Sequence, residues 1–359
     1  MRILTEPIGS IPRPAELVQG LHAYSSGDIK AGELELLYER ALKDTLERFA
    51  ETGSPVITDG EQTKPSFATY PIHGASNLDP KGIVIPFKDG HTRQLPKLNA
   101  GPFRYQSYAS DFYKRASAMT NLPLKQAVIS ASALSLLYPA EGIEGYSREE
   151  FLADLYKEQH DDISACLAAG AANVQIDFTE ARLSLKLDPS KGLLRAFIAM
   201  NNDVLALLTP AQRQKVGVHS CPGGDHDSTH SADVPYSELL PLLFELNAAN
   251  FYLEYAGEYD KRTVLQVIKE SLRPGQRVFL GVTDVLSPRV ETPEEIRDLI
   301  LEAAEFIPIP QLGTTDDCGF SPFADDTSTS RDIAFAKIRA RVEGTKLAEK
   351  ALEKTYVAI

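Results

Sequence analysis

The stretch Lys215-Val216-Gly217-Val218-His219-Ser220-Cys221 decides the fold class, because a short apolar run gives way at once to polar, reactive side chains. Apolar residues on both faces are typical of a parallel strand that is buried between helices. The predicted strands are a segment around Ile8, Pro55-Val56-Ile57-Thr58, Lys125-Gln126-Ala127-Val128-Ile129, Asn173-Val174-Gln175-Ile176, Lys215-Val216-Gly217-Val218, Phe251-Tyr252-Leu253, Arg277-Val278-Phe279-Leu280-Gly281-Val282 and Gln311-Leu312-Gly313-Thr314. Buried strands of this type indicate an α/β protein.

Amphipathic patterns fill most of the gaps between these strands. The predicted helices cover residues 33–52, 147–169, 193–208, 236–248, 261–271, 293–306 and 330–354. Two of them open with capping signals, Ser147-Arg148-Glu149-Glu150 and Thr292-Pro293-Glu294-Glu295. The alternation of strand and helix favours a single (β/α)8 TIM barrel, with residues 1–359 forming one catalytic domain.

The gap between Glu61 and Lys125 is much longer than the others and is rich in Gly, Pro and Tyr. We predict that residues 62–121 are an insertion after strand 2, because long insertions in compact domains are usually functional. A small hairpin within this insertion would act as a lid over the barrel mouth and cover substrate.

Composition narrows the classes of partner and compartment. The 359 residues carry 37 Lys and Arg against 50 Asp and Glu, a formal net charge of −13, and no cationic block. Such a chain is a poor match for nucleic acid or for an anionic membrane surface. No apolar run reaches the roughly 18 residues of a membrane helix, and the N-terminus lacks the apolar core of a signal peptide. With 3 Cys and no disulfide framework, the sequence predicts a cytoplasmic protein.

Polar side chains follow the predicted strands at the point where each strand ends. These positions are Gly9-Ser10, Asp59-Gly60-Glu61, Ser130, Asp177, His219-Ser220-Cys221, Glu254, Asp284 and Asp317-Cys318. The carboxyl ends of barrel strands meet at one rim, where the active sites of this fold lie. We therefore expect these scattered residues to share one pocket.

Four of these side chains are candidate metal ligands. His219 and Cys221 lie two residues apart, so both side chains point the same way on an extended strand end. Imidazole and thiolate suit zinc, Cys318 offers a second thiolate, and Glu254 offers an oxygen. The alternative is that His219 is a hydrogen-bonded core residue beside inert cysteines, and that Glu254 pairs with an Arg or binds substrate.

An ordered set of short motifs also resembles a known family. The motifs are Ile8-Gly9-Ser10-Ile11-Pro12-Arg13-Pro14, Asp59-Gly60-Glu61, Val174-Gln175-Ile176-Asp177, Val218-His219-Ser220-Cys221 and Asp317-Cys318-Gly319. Over nearly its whole length the chain is similar to the C-terminal catalytic barrel of cobalamin-independent methionine synthase and to the short stand-alone proteins related to it. The resemblance implies zinc ligands at His219, Cys221, Glu254 and Cys318, and homocysteine-binding positions at Ile8, Ser10, Glu61 and Asp177.

Two departures from that family concern the methyl donor. The synthase packs the pterin of methyltetrahydrofolate against a Trp, and this chain has none. Its proton-donating His falls in an Asp-x-His-Ser-Pro motif, where this chain has Asp284-Val285-Leu286-Ser287-Pro288, and leucine cannot transfer a proton. Asp284 stays a candidate catalytic residue, and His226 or His230, on the loop after Cys221, is a candidate replacement for the missing acid.

These observations predict an enzyme, a zinc-dependent methyl or alkyl transferase that acts on a thiol. The resemblance implies methionine biosynthesis, with homocysteine as the favoured acceptor and 5-methyltetrahydrofolate as a candidate donor. Zinc would convert the substrate thiol to a thiolate, and Glu61 and Asp177 would bind the substrate ammonium. Because the resemblance covers only one barrel of the full-length synthase, a partner protein that delivers the donor is a further hypothesis.

Three alternatives remain open from the sequence. A carbon–sulfur lyase or transferase resembling the epoxyalkane:coenzyme M transferases would join coenzyme M to an epoxide, although Glu61 and Asp177 suit an ammonium better than a sulfonate. A non-catalytic, zinc-stabilised binding protein would hold its metal in a closed site of four ligands. A decarboxylase resembling the uroporphyrinogen enzyme would share the barrel without needing zinc.

Overall fold

A parallel sheet of seven strands forms the centre of the computed structural model, which describes residues 2–86, 90, 92–223, 230–326 and 328–357. The strands in chain order are β1 (Leu4–Thr5), β2 (Leu78–Asp79), β3 (Val84–Pro86), β4 (Thr92–Gln94), β5 (Lys97–Leu98), β6 (Lys125–Ile129), β7 (Asn173–Asp177), β8 (Val216–Ser220), β9 (Asn250–Leu253), β10 (Arg277–Gly281) and β11 (Leu312–Thr315). The spatial order of the large sheet is β1-β11-β10-β9-β8-β7-β6. Strands that follow one another along the chain are therefore neighbours, as in a barrel.

The segment around Ile57, which the sequence predicts as the second strand, closes the space between β6 and β1. Ile57 forms a single parallel bridge with Leu124, and its carbonyl accepts a hydrogen bond from Lys125 N at 2.8 Å. On the other side, Thr58 Oγ1 donates to Gly9 O at 2.8 Å. The predicted (β/α)8 barrel is confirmed, with its second strand reduced to one bridge.

Helices alternate with the strands and cover the outside of the sheet. They are α1 (Ala15–Ser26), α2 (Ala31–Glu51), α3 (Ala109–Ser117), α4 (Ala131–Ser135), α5 (Arg148–Ala168), α6 (Glu180–Leu187), α7 (Gly192–Leu207), α8 (Pro210–Arg213), α9 (Tyr236–Leu243), α10 (Lys261–Ser271), α11 (Pro293–Ala304) and α12 (Arg331–Val357). Both predicted capping signals form capping boxes, at Ser147 with Glu150 and at Thr292 with Glu295. In the described part of the chain, we find no helix with the length and apolarity needed to cross a membrane.

Residues 62–121 contain short antiparallel pairs, β2 with β5 and β3 with β4. Ser66 makes an antiparallel bridge with Phe323, and the rings of Phe67 and Phe323 meet edge to face with centroids 5.6 Å apart. The insertion therefore contacts the loop that follows β11. The function of a lid stays a prediction.

The barrel also contains a buried polar cluster, which we call the interior network and which consists of Glu6, Lys125, Asn173, Gln175 and Tyr252. Glu6 accepts a hydrogen bond on each carboxylate oxygen, from Tyr252 Oη and from Asn173 Nδ2, both at 2.7 Å. Lys125 Nζ donates to Gln175 Oε1 at 2.6 Å and lies 3.9 Å from the centroid of the Tyr252 ring. Burial lowers the pKa of Lys125 to about 8. The network therefore balances its buried charges with partners inside the barrel.

Candidate active site

A cavity of about 620 Å³ lies at the carboxyl ends of the strands. The predicted site residues that line it are Ile8, Ser10, Glu61, Asp177, His219, Cys221, His230 and Cys318. Glu254 and Asp284 lie outside this lining, and His226 lies outside the described residues. Residues from both ends of the chain therefore meet at one cavity, as the rim of a barrel requires.

Three side chains form a candidate metal centre: His219 and Cys221, at the end of β8, and Cys318, after β11. One donor atom from each lies within 4.8 Å of the other two, and all three residues are buried. His219 Nδ1 faces Tyr252 O at 3.1 Å, and because a carbonyl only accepts, Nδ1 carries a proton and Nε2 is the nitrogen left for a metal. Burial would lower the pKa of His219, but the Cys221 sulfur raises it overall. Nε2 is buried without a hydrogen-bond partner among the described residues. A buried, unpartnered imidazole nitrogen beside two sulfurs fits Zn²⁺.

The two thiols of this group differ in acidity. Burial alone would raise the pKa of Cys221, but the hydrogen bond with Cys318 and the His219 imidazole lower it well below its usual range. The pKa of Cys318 is raised, first by its hydrogen bond to Cys221 and second by burial. The proton between the two sulfurs therefore favours Cys318, and a bound cation would displace it.

Glu254, the fourth predicted ligand, is bound by Arg182. Arg182 Nη1 donates to Glu254 Oε2 and to Glu258 Oε1, both at 2.7 Å, and Nη2 donates to Val234 O at 2.6 Å. The Arg182 side chain is only 2% exposed, so this ion pair is buried. Pairing with an Arg is the alternative that the sequence leaves open for Glu254, and its role as a ligand stays a prediction.

Two buried carboxylates, Glu61 and Asp177, face the same cavity. Burial raises the pKa of Asp177 to about 6, and the negative charge of Glu61 adds to that rise. Gln175 Nε2 donates to Asp177 Oδ1 at 2.7 Å, and Lys64 Nζ donates to Glu61 Oε1 at 3.1 Å. Because two neighbouring acids repel each other, a cationic group between them is stabilised, so the pair suits an ammonium.

The first residues of the chain tie the loops of the site together. Arg13 Nη2 donates to Glu61 O at 2.7 Å, and Nη1 donates to Ser321 O at 2.9 Å. Ser10 Oγ accepts from Ser321 N at 3.2 Å, and a Cβ at Gly319 would lie 2.1 Å from that oxygen. Only glycine fits there without displacing Ser10. The turn after strand 2 and the loop after β11 are therefore held together by Arg13 and Ser10.

The three candidates for proton transfer differ in position. Asp284 lies outside the cavity lining, and its carboxylate accepts from Leu286 N at 2.9 Å. His230 lines the cavity, and burial lowers its pKa to about 4, so its imidazole is neutral at neutral pH. His226 lies outside the described residues. The catalytic roles of all three stay predictions.

Sequence reasoning missed Glu180, which opens α6 and lines the cavity. Ser130 Oγ donates to its Oε1 at 2.6 Å, and Ser132 Oγ donates to the same oxygen. Burial raises the pKa of Glu180 to about 7. The sequence carried one signal for Glu180, since it is a second acid only three residues after Asp177, just past the end of a predicted strand. Lys64, Gln175 and Arg182, which hold the acids of the site, were missed as well.

The fold and the site together define a class of proteins. Its members are parallel barrels with one imidazole and two thiols at a cavity, a set of donors able to hold a thiophilic metal. Within that class, a family model described as cobalamin-independent synthase, catalytic domain, matches residues 3–342. The chain belongs to this family. The resemblance read from its short motifs is therefore confirmed.

Individual relatives agree with this assignment. The chain is 22% identical over 352 residues to the uncharacterized protein YxjH of Bacillus subtilis, with 92% of this chain and 91% of that protein covered. It is 23% identical over 353 residues to a methionine synthase of Saccharolobus islandicus, with 98% and 96% covered.

Solved structures show the same fold. The B12-independent methionine synthase from Shewanella sp. W3-18-1, in complex with selenomethionine, has a TM-score of 0.77 at 22% identity, with 98% of this chain and 100% of that chain covered. A putative B12-independent methionine synthase from Listeria monocytogenes has a TM-score of 0.70 at 23% identity, with 96% and 98% covered. These similarities confirm the barrel.

Proposed function

We propose that the protein is a zinc-dependent enzyme that transfers a methyl or alkyl group to a thiol, with homocysteine as the acceptor. The observation that carries the proposal is the group of His219, Cys221 and Cys318, whose donor atoms lie within 4.8 Å of one another at a substrate-sized cavity. When bound there, zinc would favour the thiolate form of a substrate thiol, which is the competent nucleophile.

The chain's own residues would position the acceptor. Glu61 and Asp177 would bind its ammonium group, and the backbone N–H groups near Ser10 would bind its carboxylate. The side chain of Ile8, which is buried and lines the cavity, would pack against its aliphatic part. Glu254 is a proposed fourth ligand, replaceable by the substrate sulfur, that would first have to leave Arg182.

The donor and the biological setting belong to the same proposal. Methionine synthase relatives support a place in methionine biosynthesis, with 5-methyltetrahydrofolate as candidate donor and a partner protein as an alternative source of the methyl group. Asp284, His226 and His230 are the proposed residues for proton transfer to the leaving group. We also propose a cytoplasmic location, on the composition of the chain.

Metal analysis of the purified protein tests the centre. We expect about one zinc per chain in the unmodified protein, and loss of the metal in Cys221→Ser and in Cys318→Ser. Cys166→Ser is the matched control, because Cys166 is also buried and free but does not line the cavity. Full retention of zinc in both site variants would refute the proposed centre.

Calorimetric titrations with thiols then test the acceptor. Homocysteine should bind with proton release at neutral pH, whereas coenzyme M, which carries a sulfonate and no ammonium, should bind more weakly. A reversed preference would favour the transferase that uses coenzyme M, and no binding of either thiol would favour a non-catalytic protein. An assay with monoglutamyl and polyglutamyl 5-methyltetrahydrofolate tests the donor, since intact thiol binding without transfer would exclude methylfolate.

A further inference from the structure

The cavity is larger than the proposed thiol acceptor needs. Its volume of about 620 Å³ falls in the range of pockets that enclose a drug-sized ligand. Homocysteine is a small amino acid and would fill only part of that space. A second molecule, or a large part of one, therefore fits beside the thiol.

Apolar side chains from two helices form one side of this space, and we call Leu183, Leu187, Leu193 and Phe197 the apolar wall. All four line the cavity. Leu183 and Leu187 are four residues apart on α6, and Leu193 and Phe197 are four apart on α7, so each pair lies on one helix face. Leu187 is 68% exposed. Apolar surface that stays exposed beside a cavity is typical of a binding site for an apolar ligand.

The charged residues of the lining do not favour an anion. Among the described lining residues, the Lys and Arg cations are Arg93 and Lys186, and both are paired. Arg93 binds Asp325 at 3.0 Å and lies over the ring of Phe323, with 4.2 Å to its centroid. Lys186 binds Asp233 at 2.9 Å. A polyanionic ligand would have to compete with these carboxylates for both cations.

Glu180 adds one hydrogen-bonding group to the apolar wall. It lies three residues before Leu183, on the same face of α6, and it lines the cavity. Its Oε1 is held by Ser130 and Ser132, while its buried Oε2 has no partner among the described residues. A buried carboxylate oxygen without a donor is costly when the acid is ionised, so a ligand N–H or O–H would be stabilised there by the ionised form of Glu180.

We propose that the apolar wall and Glu180 bind an uncharged, largely apolar or aromatic molecule that carries one hydrogen-bond donor. The inference rests on the proposed function in one respect, because the molecule bound there would be the alkyl donor itself or the carrier of the alkyl group. It specifies the chemical class of that donor. Neither 5-methyltetrahydrofolate nor its polyglutamyl forms belong to this class, because all of them carry carboxylates. The inference therefore selects against the folate donor, and the methylfolate assay distinguishes the two.

Two matched fluorescent probes test the charge preference on the full chain. N-phenyl-1-naphthylamine is neutral, aromatic and carries one N–H, and 1-anilinonaphthalene-8-sulfonate has the same rings with an added anionic group. We expect saturable binding of the neutral probe, at least about tenfold tighter than that of the sulfonate. Equal or tighter binding of the sulfonate would overturn the proposal.

Variants of the wall locate the probe. Leu183→Asp and Leu187→Asp should each weaken binding of the neutral probe, the first by at least about tenfold because it places a charge in an apolar contact. Leu187 is exposed, so its variant remains informative if Leu183→Asp fails to fold. Leu207→Asp is the matched control, since Leu207 is 54% exposed on α7 outside the cavity lining. Unchanged affinity in the folded wall variants would overturn the site.

The hydrogen bond to Glu180 has its own test. Glu180→Leu should weaken binding of N-phenyl-1-naphthylamine by roughly three- to tenfold, the cost of one lost hydrogen bond. Competition by 1-benzylnaphthalene, in which a carbon replaces the N–H, should be unchanged in the same variant. Equal losses for both compounds would contradict the assigned hydrogen bond.

Failure of this inference is distinguishable from failure of the proposed function. Cys221→Ser should lose zinc but keep the affinity for the neutral probe, because the apolar wall does not include Cys221. Probe binding that fails while zinc and homocysteine still bind would overturn only the inference. Loss of zinc and homocysteine binding with intact probe binding would overturn only the proposed function.

Discussion

The interior network and the rim cavity are both buried and charged, but their members differ in how completely they are bonded. Glu6, in the interior network, accepts a hydrogen bond on each carboxylate oxygen. At the rim, Glu180 leaves Oε2 and His219 leaves Nε2 without a partner among the described residues. Buried polar groups are normally satisfied, so the exceptions require an explanation. We conclude that the interior network stabilises the barrel, whereas the rim leaves two atoms that are available to the metal and the ligand proposed above.

The largest expected effect is on the stability of the interior network. Glu6→Leu would leave Tyr252 Oη and Asn173 Nδ2 without their acceptor, and would remove the negative charge that favours the Lys125 ammonium. Breaking a buried charged cluster at one member should lower the free energy of unfolding by about 3–5 kcal/mol. Urea unfolding followed by circular dichroism measures this.

Glu47→Leu serves as the control for this variant, because Glu47 is on the surface of α2 and makes only a loose pair with Lys43 at 3.9 Å. Its unfolding midpoint should hardly move. Folded Glu6→Leu protein should still bind zinc, since His219 is held by the backbone carbonyl of Tyr252, which the substitution does not remove. If the two variants unfolded alike, the comparison between interior and rim would fail.

At the rim, Glu180 is expected to reduce stability as the pH rises. Burial raises its pKa in the folded protein from 4.5 to about 7. The contribution of Glu180 to the free energy of unfolding is therefore full below pH 4.5 and is lost as the pH rises to about 7. The loss amounts to about 3 kcal/mol at one pKa unit per 1.36 kcal/mol. Glu180→Gln cannot ionise and should gain stability relative to the unmodified protein across this window.

Unfolding experiments in urea at several pH values would show that gain. The exposed acid Glu149, on α5, provides the control variant Glu149→Gln, which should follow the unmodified protein throughout. A constant difference between Glu180→Gln and the unmodified protein would mean that Glu180 titrates normally.

Asp177 tests whether the rim carboxylates act on substrate. Asp177→Asn keeps the hydrogen-bonding shape but removes the charge, so KM for homocysteine should rise by about 10- to 100-fold. Zinc content should not change. Asp203→Asn, on the exposed face of α7 and outside the cavity lining, should leave KM unaltered. An unchanged KM in Asp177→Asn would remove the ammonium-binding role.

The smallest expected effect is the number of protons that the protein releases when zinc binds. Because Cys221 has a lowered pKa and Cys318 a raised one, zinc binding at neutral pH should release about one proton from the two thiols. Calorimetry in two buffers with different ionisation enthalpies measures the number. Release of two protons would show that a second group, either Cys221 or the His219 imidazole, whose pKa is also raised, is protonated before the metal binds.

The strands of the barrel were predictable because their apolar runs are continuous. The predicted strand at 125–129 coincides with β6, whereas the first strand was expected around Ile8 and lies at Leu4–Thr5. Pro7 has no N–H to donate to a ladder, which accounts for a strand that ends before it. The bridge at Ile57 is shorter than its apolar run suggests.

The meeting of His219, Cys221 and Cys318 could be anticipated from the rule that strand ends share a rim, since each lies at or just after a strand end. Their role as metal ligands stays a prediction. Glu180 had only a weak signal, a second acid three residues after Asp177, and Arg182 had none, because the sequence does not show which acids it will bind. The partners of Arg182, Glu254 and Glu258, lie on a distant loop. Single-sequence reasoning recognises local periodicity, but it does not identify which distant charges will pair.

The order of the donors along the chain has a consequence for biosynthesis. His219 lies in β8 and Cys221 follows it, but Cys318 follows β11, the last strand of the sheet. A nascent chain that has left the ribosome only as far as Cys221 therefore exposes one soft sulfur beside an imidazole, without the second sulfur that shares its proton. The centre can assemble only after translation has passed the final strand.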